Sequence, residues 1–472
     1  MTDARNVVLI CLDTVRKDYF DEYAPRLRER SSVSFEQCRA ASAWSTPSHA
    51  SMLTGELPHR HGIHTHNRDF SGLSRSDTFL GDLPEHDALG VSANVYASST
   101  FGFDAVFDRY SDVAPHRRFP DGMDMEKFIQ DREAEGPRRF LEFLREALRH
   151  DHTLESLGNG VLFKTNDLLR RAPLPKLLDD GASIVSREGR STVEESDEPF
   201  FLFANFMDAH GPVHHVLGYD RSFHDAPNDW TSFEFDDWEI NTGGVSAEHE
   251  RDLEYHRDLY AAAIDYLDRT VASFVEEIRS KTDRETTFVI TADHGENLAY
   301  PEDEELFGHT SSLTESLLHV PCYVIDPPAG YDATEREFFS HLELGDLLVG
   351  LANGETPDVF RERVPAELIG IGVGGAPRDP EEHRYWDRML RCVYDGETKH
   401  VWDSLGGSVE YELDRDRPCW QRRVAEDVEV PAWARDFFDV DIEEYKERAR
   451  AAETDREVDA TVERRLEELG YR

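Results

Sequence analysis

An α/β fold, with a mixed, mostly parallel central sheet sandwiched by helices and a small antiparallel sheet and helix at the C-terminal end, is what the sequence predicts. Three apolar runs carry that expectation: residues 6–12, 200–206 and 286–291. The first two are nearly continuous in apolar side chains and the third sets Phe288-Val289-Ile290 among threonines, the mark of strands covered on both faces rather than half-solvated ones. Each run also leads into polar residues that can do chemistry: Asp13-Thr14, Asp208-Ala209-His210-Gly211-Pro212 and Asp293-His294-Gly295-Glu296. In open α/β sheets, ligands bind at the carboxyl ends of the strands.

Taken in order, the first run opens the sheet and delivers Asp13. A helix is expected from about Pro25 to Arg30. A second helix is expected in Ser45-Thr46-Pro47-Ser48-His49-Ala50-Ser51-Met52-Leu53-Thr54-Gly55. Pro47 suits its first turn, Ala50, Met52 and Leu53 continue it, and Gly55 is placed to end it. Ser45 then lies at the helix N-terminus, where backbone N–H groups and the dipole favour an anion; read alone, it is equally an ordinary capping serine. Residues 88–94 read as another strand, and 120–195 as a polar, helix-rich insertion. A long helix is expected from about Ala247 to Ile278, with Leu259, Ala262, Tyr266, Val271 and Phe274 along its apolar side. A short helix carrying Leu313 and Glu315 and a strand from Val320 to Ile325 follow. Leu342–Leu351 reads as helix and 352–383 as loop. Residues 389–394, 400–402 and 409–413 read as the small antiparallel sheet. A charged helix over about 440–470 places Val458, Val462 and Leu466 on one side. The expected division is a catalytic α/β domain over 1–330 and a C-terminal subdomain over 331–472.

Charge excludes some functions. The chain carries 97 acidic against 52 basic side chains, a net −45, with only seven lysines among the basic residues. Such a surface as a whole repels nucleic acid and anionic lipid, so no nucleic-acid partner is expected. The acidic residues are spread along the whole chain, and together with the scarcity of lysine they read as adaptation to high salt, where counterions screen self-repulsion. The five cysteines are odd in number and widely spaced, which suggests neither a disulfide framework nor a zinc site. No apolar run reaches the ~20 residues that span a bilayer, and no signal-peptide pattern is present, so a cytoplasmic location is expected.

Asp13, Ser45 and Asp293-His294 bring oxygen and imidazole donors to separate strand ends, the set that a divalent cation takes with a position left for substrate. Each of these residues alone is as readily a cap or an ion-pair partner. Together they resemble the alkaline-phosphatase/sulfatase superfamily. The Ser45–Gly55 stretch resembles the sulfatase signature of a cysteine or serine followed by x-Pro-Ser-Arg, four residues and Thr-Gly. Ser45, Pro47, Ser48, Thr54 and Gly55 match in register, and His49 stands where the family has arginine. Phe101-Gly102-Phe103-Asp104 and, more loosely, the segment around Glu412-Leu413-Asp414 are similar to family segments.

That resemblance implies an alkaline-phosphatase-like fold and a metal-dependent sulfatase-like hydrolase of sulfate esters. It implies Ser45 as nucleophile, itself or as formylglycine, and Asp13, Ser45, Asp293 and His294 as metal ligands. His210 and His309 would contact the sulfuryl group or protonate the leaving oxygen, and His49, His61 and Asn94 would bind substrate. The metal is Ca²⁺ by family habit, with Mn²⁺, Mg²⁺ and Zn²⁺ as alternatives, and the substrate a small-molecule or glycan sulfate or phosphate ester. Two other readings remain. An unmodified Ser45 suits phosphomonoester or phosphodiester hydrolysis or phosphoryl transfer, because a plain serine sulfate has no elimination route. A catalytically inactive binding protein on the same fold is the other.

With a net charge of −45, thermal melts in rising KCl should show the midpoint climbing between low and molar salt. A flat or falling midpoint rules the adaptation out.

Overall fold

The computed structural model describes residues 4–114, 118–119, 121–123, 125–130, 136–169, 174–196, 199–309, 311–371, 377, 379–452, 463 and 466. Its strands, in chain order, are β1 (Asn6–Leu12), β2 (Val33–Arg39), β3 (Asp87–Ser92), β4 (Arg109–Asp112), β5 (Phe200–Phe206), β6 (Thr286–Thr291), β7 (Asn297–Leu298), β8 (Phe307–Gly308), β9 (Cys322–Ile325), β10 (Thr334–Ser340), β11 (Phe360–Arg361), β12 (Arg363–Ile369), β13 (Met389–Asp395), β14 (Thr398–Asp403), β15 (Ser408–Leu413) and β16 (Gln421–Glu426). Nine of them form the central sheet, in the order β11-β10-β2-β9-β6-β1-β5-β3-β4.

The three apolar runs are β1, β5 and β6, side by side and buried along their whole length. β1 pairs in parallel with both neighbours, with Leu12 opposite Phe206 and Cys11 opposite Thr291. β3 extends the parallel set beside β5, with Ser92 opposite Asn205. Parallel pairing in this register aligns the carboxyl ends, and Asp13, Asn94, Asp208 and Asp293 all leave the sheet at one edge. β9 is antiparallel to both β2 and β6, which makes the sheet mixed.

Helices cover the sheet. The long helix Glu250–Arg279 buries Leu259, Ala262, Val271 and Phe274 and packs on the helix Ala182–Glu194. The helix Leu344–Ala352 packs on the helix Ser45–Thr54 and on β1. Residues 120–195 contribute the helices Met125–Gln130, Gly136–Ala147, Thr153–Leu169 and Ala182–Glu194, with a small core of Met125, Phe128, Phe143 and Ala147. Among the described residues, no helix is long and apolar enough to cross a membrane.

Several elements depart from the sequence reading. β2 and β10 carry polar residues at buried positions, Gln37, Arg39 and Ser340, and β4 has no fully buried position, which hides their period. β10 pairs in parallel with β2 inside the central sheet, so the expected boundary near residue 330 falls within that sheet. The chain enters the smaller sheet at Arg363, in a stretch expected to be loop. Pro365 accounts for that misreading: β12 is an edge strand of the five-stranded sheet, where proline is tolerated. Val458 and Val462 lie outside the described residues, while Leu466 is buried.

The two sheets are joined by a buried ionic knot. Glu315 receives Arg39 of β2 at 3.0 Å and Lys399 of β14 at 3.0 Å, and the Tyr394 hydroxyl donates to it at 2.6 Å. Burial alone would raise the Glu315 pKa, but Arg39 and Lys399 hold it down to about 2. A carboxylate with a depressed folded-state pKa stabilises the fold above the unfolded value, near 4.3, and loses that stabilisation as pH falls toward about 2. Glu315→Gln should therefore melt well below the wild type at pH 7, by an amount on the order of 3 kcal/mol, because two buried cations lose their partner. The gap should close in melts taken from pH 5 down to pH 2, and a gap independent of pH would refute the account.

Candidate active site

The site lies at the carboxyl edge of β1, β3, β5 and β6. Ser45 is the first residue of its helix, following the extended Trp44, and the helix ends at Gly55 in the left-handed conformation with φ +70°. Ser45 is buried. Asn94 Nδ2 donates to Ser45 Oγ at 3.0 Å, and the hydroxyl lies 3.3 Å from His294 Nε2. His294 Nδ1–H donates to the Gly295 carbonyl at 2.8 Å, so Nε2 keeps its lone pair toward the serine. Burial first, and the neighbouring His309 second, push the His294 pKa down to about 3. A neutral ring with a directed lone pair is a weak base but a good metal ligand. Gly295 is obligatory here: a Cβ would come within 1.9 Å of the Ser316 carbonyl oxygen.

Behind Ser45 are two buried carboxylates. Asp13 Oδ2 accepts from Asn94 Nδ2 at 2.6 Å and from Asn205 Nδ2 at 3.4 Å, while Oδ1 is buried without a hydrogen-bond partner. Asp293 Oδ1 accepts from the backbone N–H of Thr14 at 3.3 Å and of His294 at 3.0 Å, and its Oδ2 is likewise buried without a hydrogen bond. Thr14 reaches Asp293 only because its backbone is left-handed, φ +61°, a conformation held by the Tyr260 hydroxyl donating to its carbonyl at 2.6 Å. Ligand atoms of Asp13, His49 and Asp293 lie within 4.8 Å of one another. Two negative charges at that spacing repel by about 3 kcal/mol at an effective dielectric of about 20. Burial and then Asp293 raise the Asp13 pKa accordingly. Two orphaned carboxylate oxygens and an imidazole converging in a buried pocket fit a divalent cation.

His49 is the main relocation. Expected among substrate-binding residues, it sits on the buried floor with Nδ1–H donating to the Ser45 carbonyl at 2.7 Å and standing 3.6 Å from Asp293 Oδ2. Asn205 Nδ2 donates to its Nε2 at 3.3 Å. A helical side chain leans back over the turn before it, so a residue four positions after Ser45 reaches the carboxylates and not the mouth. His61 is also elsewhere: it accepts from the Ile63 N–H at 3.0 Å and lies 3.2 Å from Ser51 Oγ, holding the turn after the serine helix. Asn94 is a bridge between Asp13 and Ser45, its own Oδ1 fixed by the N–H of Tyr96 at 2.7 Å.

His210 and His309 face each other with ring centroids 5.2 Å apart, and His309 lies 4.7 Å from the His294 ring. His309 Nδ1–H donates to Glu296 at 2.9 Å. Burial lowers the His309 pKa, but the Glu296 carboxylate outweighs it and lifts the group to about 9. His309 is thus a buried imidazolium at neutral pH. Sequence reasoning gave no role to Asn205, Glu296 or Thr14. Asn205 left a signal, an amide inside an otherwise apolar run. Thr14 left none, because its contribution is a backbone N–H.

A family model described as Sulfatase matches residues 5–354. The chain belongs to the sulfatase family. Among solved structures, this sulfatase-family chain is similar to a phosphonate monoester hydrolase from Silicibacter pomeroyi, at 14% identity and a TM-score of 0.57 over 86% of this chain and 89% of that one. The phosphonate monoester hydrolase of Agrobacterium radiobacter is similar at 15% identity, a TM-score of 0.57 and the same coverages of 86% and 89%. A 2-O GAG sulfatase is similar at 14% identity and a TM-score of 0.55 over 88% of this chain and 86% of that one. At these identities the likeness shows the shared fold. No curated protein matches the chain.

The orphaned oxygens set a test. Ca²⁺, Mn²⁺, Mg²⁺ or Zn²⁺ added to chelated protein should raise the melting midpoint, and Asp293→Asn should abolish that rise. Without metal, Asp13→Asn should melt higher than the wild type by on the order of 2 °C, because it removes a buried like charge. Since the folded-state pKa of Asp13 is raised, that advantage should grow as pH rises out of the carboxylate range. An Asp13→Asn protein that melts lower than wild type at every pH, with or without metal, would sink the assignment.

Proposed function

We propose that the chain is a metal-dependent sulfuric ester hydrolase with Ser45, or a formylglycine made from it, as nucleophile. The observation that carries this reading is the contact set of Ser45: its hydroxyl stands between Asn94 and His294, one residue removed from the two orphaned carboxylates. Asp13 and Asp293, with nitrogen from His294 or His49, would hold a divalent cation, Ca²⁺ by family habit. Bound there, the cation would neutralise charge on the substrate oxygens and act as a Lewis acid.

The chain's own residues do the rest. Asn94 orients the Ser45 hydroxyl through its donated hydrogen bond, and the same amide fixes Asp13. His294 presents its Nε2 lone pair beside that hydroxyl and accepts its hydrogen bond. His309, charged by Glu296, supplies a proton to the leaving oxygen, and His210 beside it contacts the transferred group. The helix N-terminus at Ser45 favours the negative charge that develops there. Substrates of this class are small-molecule or glycan esters; the 2-O GAG sulfatase among the structural neighbours supports a sugar sulfate. The net charge of −45 supports a high-salt setting.

One observation favours phosphate or phosphonate esters instead. His49 occupies the place of the family's arginine and points at Asp293, so the arginine contact to the modified residue is missing. An unmodified serine clears a phosphoryl group more readily than a sulfuryl group, and phosphonate monoester hydrolases share the fold.

Ser45→Ala should abolish turnover of aryl sulfate and aryl phosphate esters while leaving the protein folded, since Trp44 and not Ser45 is the N-cap and no side-chain cap is lost. Ser48→Ala should retain most activity, its hydroxyl donating to the Ser42 carbonyl at 2.9 Å. His309→Gln should slow alkyl esters by roughly 10²–10⁴ while sparing nitrophenyl esters, whose leaving group needs no proton. The peptide mass at Ser45 separates serine from formylglycine, and near-normal activity in Ser45→Ala would overturn the nucleophile.

A further inference from the structure

One stretch of the insertion differs from the rest of the molecule: residues 136–176 hold eight basic and five acidic side chains, whereas 120–195 as a whole holds 12 and 16, and the chain 52 and 97. Seven of the twelve exposed large apolar side chains among the described residues fall between 140 and 177, so one segment holds more than half of them.

Helix geometry orders these residues. The helix Gly136–Ala147 turns Phe143 and Ala147 into the insertion's core with Met125 and Phe128, which fixes its outward side. Along that side Arg138, Leu141, Arg145 and Leu148 follow at spacings of four and three, a single stripe that alternates guanidinium and isobutyl groups, all exposed. Phe140 stands beside it, 59% exposed, and Leu148 is 66% exposed. The helix Thr153–Leu169 adds Leu154, 84% exposed, and Val161, 65% exposed, with exposed Lys164 three residues further on. An apolar patch of this kind marks an interaction surface. Leucine and phenylalanine interleaved with arginine is the composition of a helix that lies in the headgroup layer of a membrane.

We propose that this face docks on an anionic lipid bilayer, with the aliphatic and aromatic side chains entering the acyl boundary and the arginines meeting the headgroup charge. Charge selects this occupant. A second copy seated on this face would set its Arg138, Arg145 and Arg149 against the same arginines, and an acidic nucleic acid offers nothing to Leu141, Leu148 or Leu154. A bilayer meets only the basic face and leaves the acidic remainder in solvent.

The surface is tied to the catalytic loop. Lys176 N–H donates to the His215 carbonyl, and Leu217 N–H to the Lys176 carbonyl, both at 2.8 Å. Asp208 accepts from the N–H of Asp180 at 3.1 Å and of Ala182 at 3.0 Å. Exposed Leu177 and Leu217 flank this junction, carrying apolar surface from the insertion onto the segment that bears His210. Docking there sets the site mouth beside the membrane.

The test is co-sedimentation of the full chain with phosphatidylglycerol and with phosphatidylcholine vesicles, at a salt concentration where the fold is stable. Partition onto the anionic vesicles should exceed that onto the zwitterionic ones at least ten-fold. Leu141→Ser/Leu148→Ser/Leu154→Ser should lower it at least ten-fold, with melting midpoint and turnover of a soluble aryl ester unchanged. Arg145→Glu/Arg149→Glu should lower the anionic partition alone and guards against misfolding of the first variant. No partition onto either vesicle, equal partition onto both, or undiminished partition of both variants would overturn the proposal. So would a dimer, seen by light scattering, that the triple-serine variant converts to a monomer.

Discussion

Two carboxylates buried at the sheet edge with their unsatisfied oxygens toward one another dominate the organisation of this protein. Asp13 and Asp293 end neighbouring parallel strands, so the backbone register that maximises sheet pairing also forces the like charges together. Everything nearby answers that constraint. Asn94 and Asn205 spend their amide N–H groups on Asp13, and Thr14 adopts a left-handed backbone to present its N–H to Asp293. These donors satisfy one oxygen of each carboxylate and leave the other, the arrangement of a site shaped for a cation rather than of a pair stabilised by protein alone.

How much of this the sequence revealed follows from which interactions are local. Continuous apolar runs announce β1, β5 and β6 because full burial needs no partner to be recognised, and a proline and a glycine bracket the serine helix. Residue identity at strand ends was enough to select Asp13, Ser45, Asp293 and His294 as one group. Direction was not legible. His49 stands at the signature's arginine position, yet whether its ring faces the mouth or the floor depends on the lean of a helical side chain over its preceding turn. β10 and the edge strand β12 were obscured because exposed positions in the one and a tolerated proline in the other break the expected alternation.

The charge distribution has an inside as well as an outside. Lys17 and Lys399 are fully buried and Lys446 nearly so, which takes three of the seven lysines off the surface. The interior cations sit in dense pairs: Arg16 with Asp303 at 3.0 Å, Arg391 with Glu367 at 2.7 Å, and Lys399 with Glu315. Buried pairs are indifferent to bulk salt, whereas exposed acids are not, so the solvent-facing charge can vary with ionic environment while the internal network keeps the sheets in register.

The pairing of β1 has a kinetic side. Its partners begin at Phe200 and Thr286, so β1 waits for both of these distant strands before its two hydrogen-bonded ladders can close. Loops of that length make assembly slow and route it through partly folded states with open strand edges. Asp13 and Asp293 meet only when that closure is complete. The cation pocket is therefore absent from every early folding species, and ion capture reports on the finished topology.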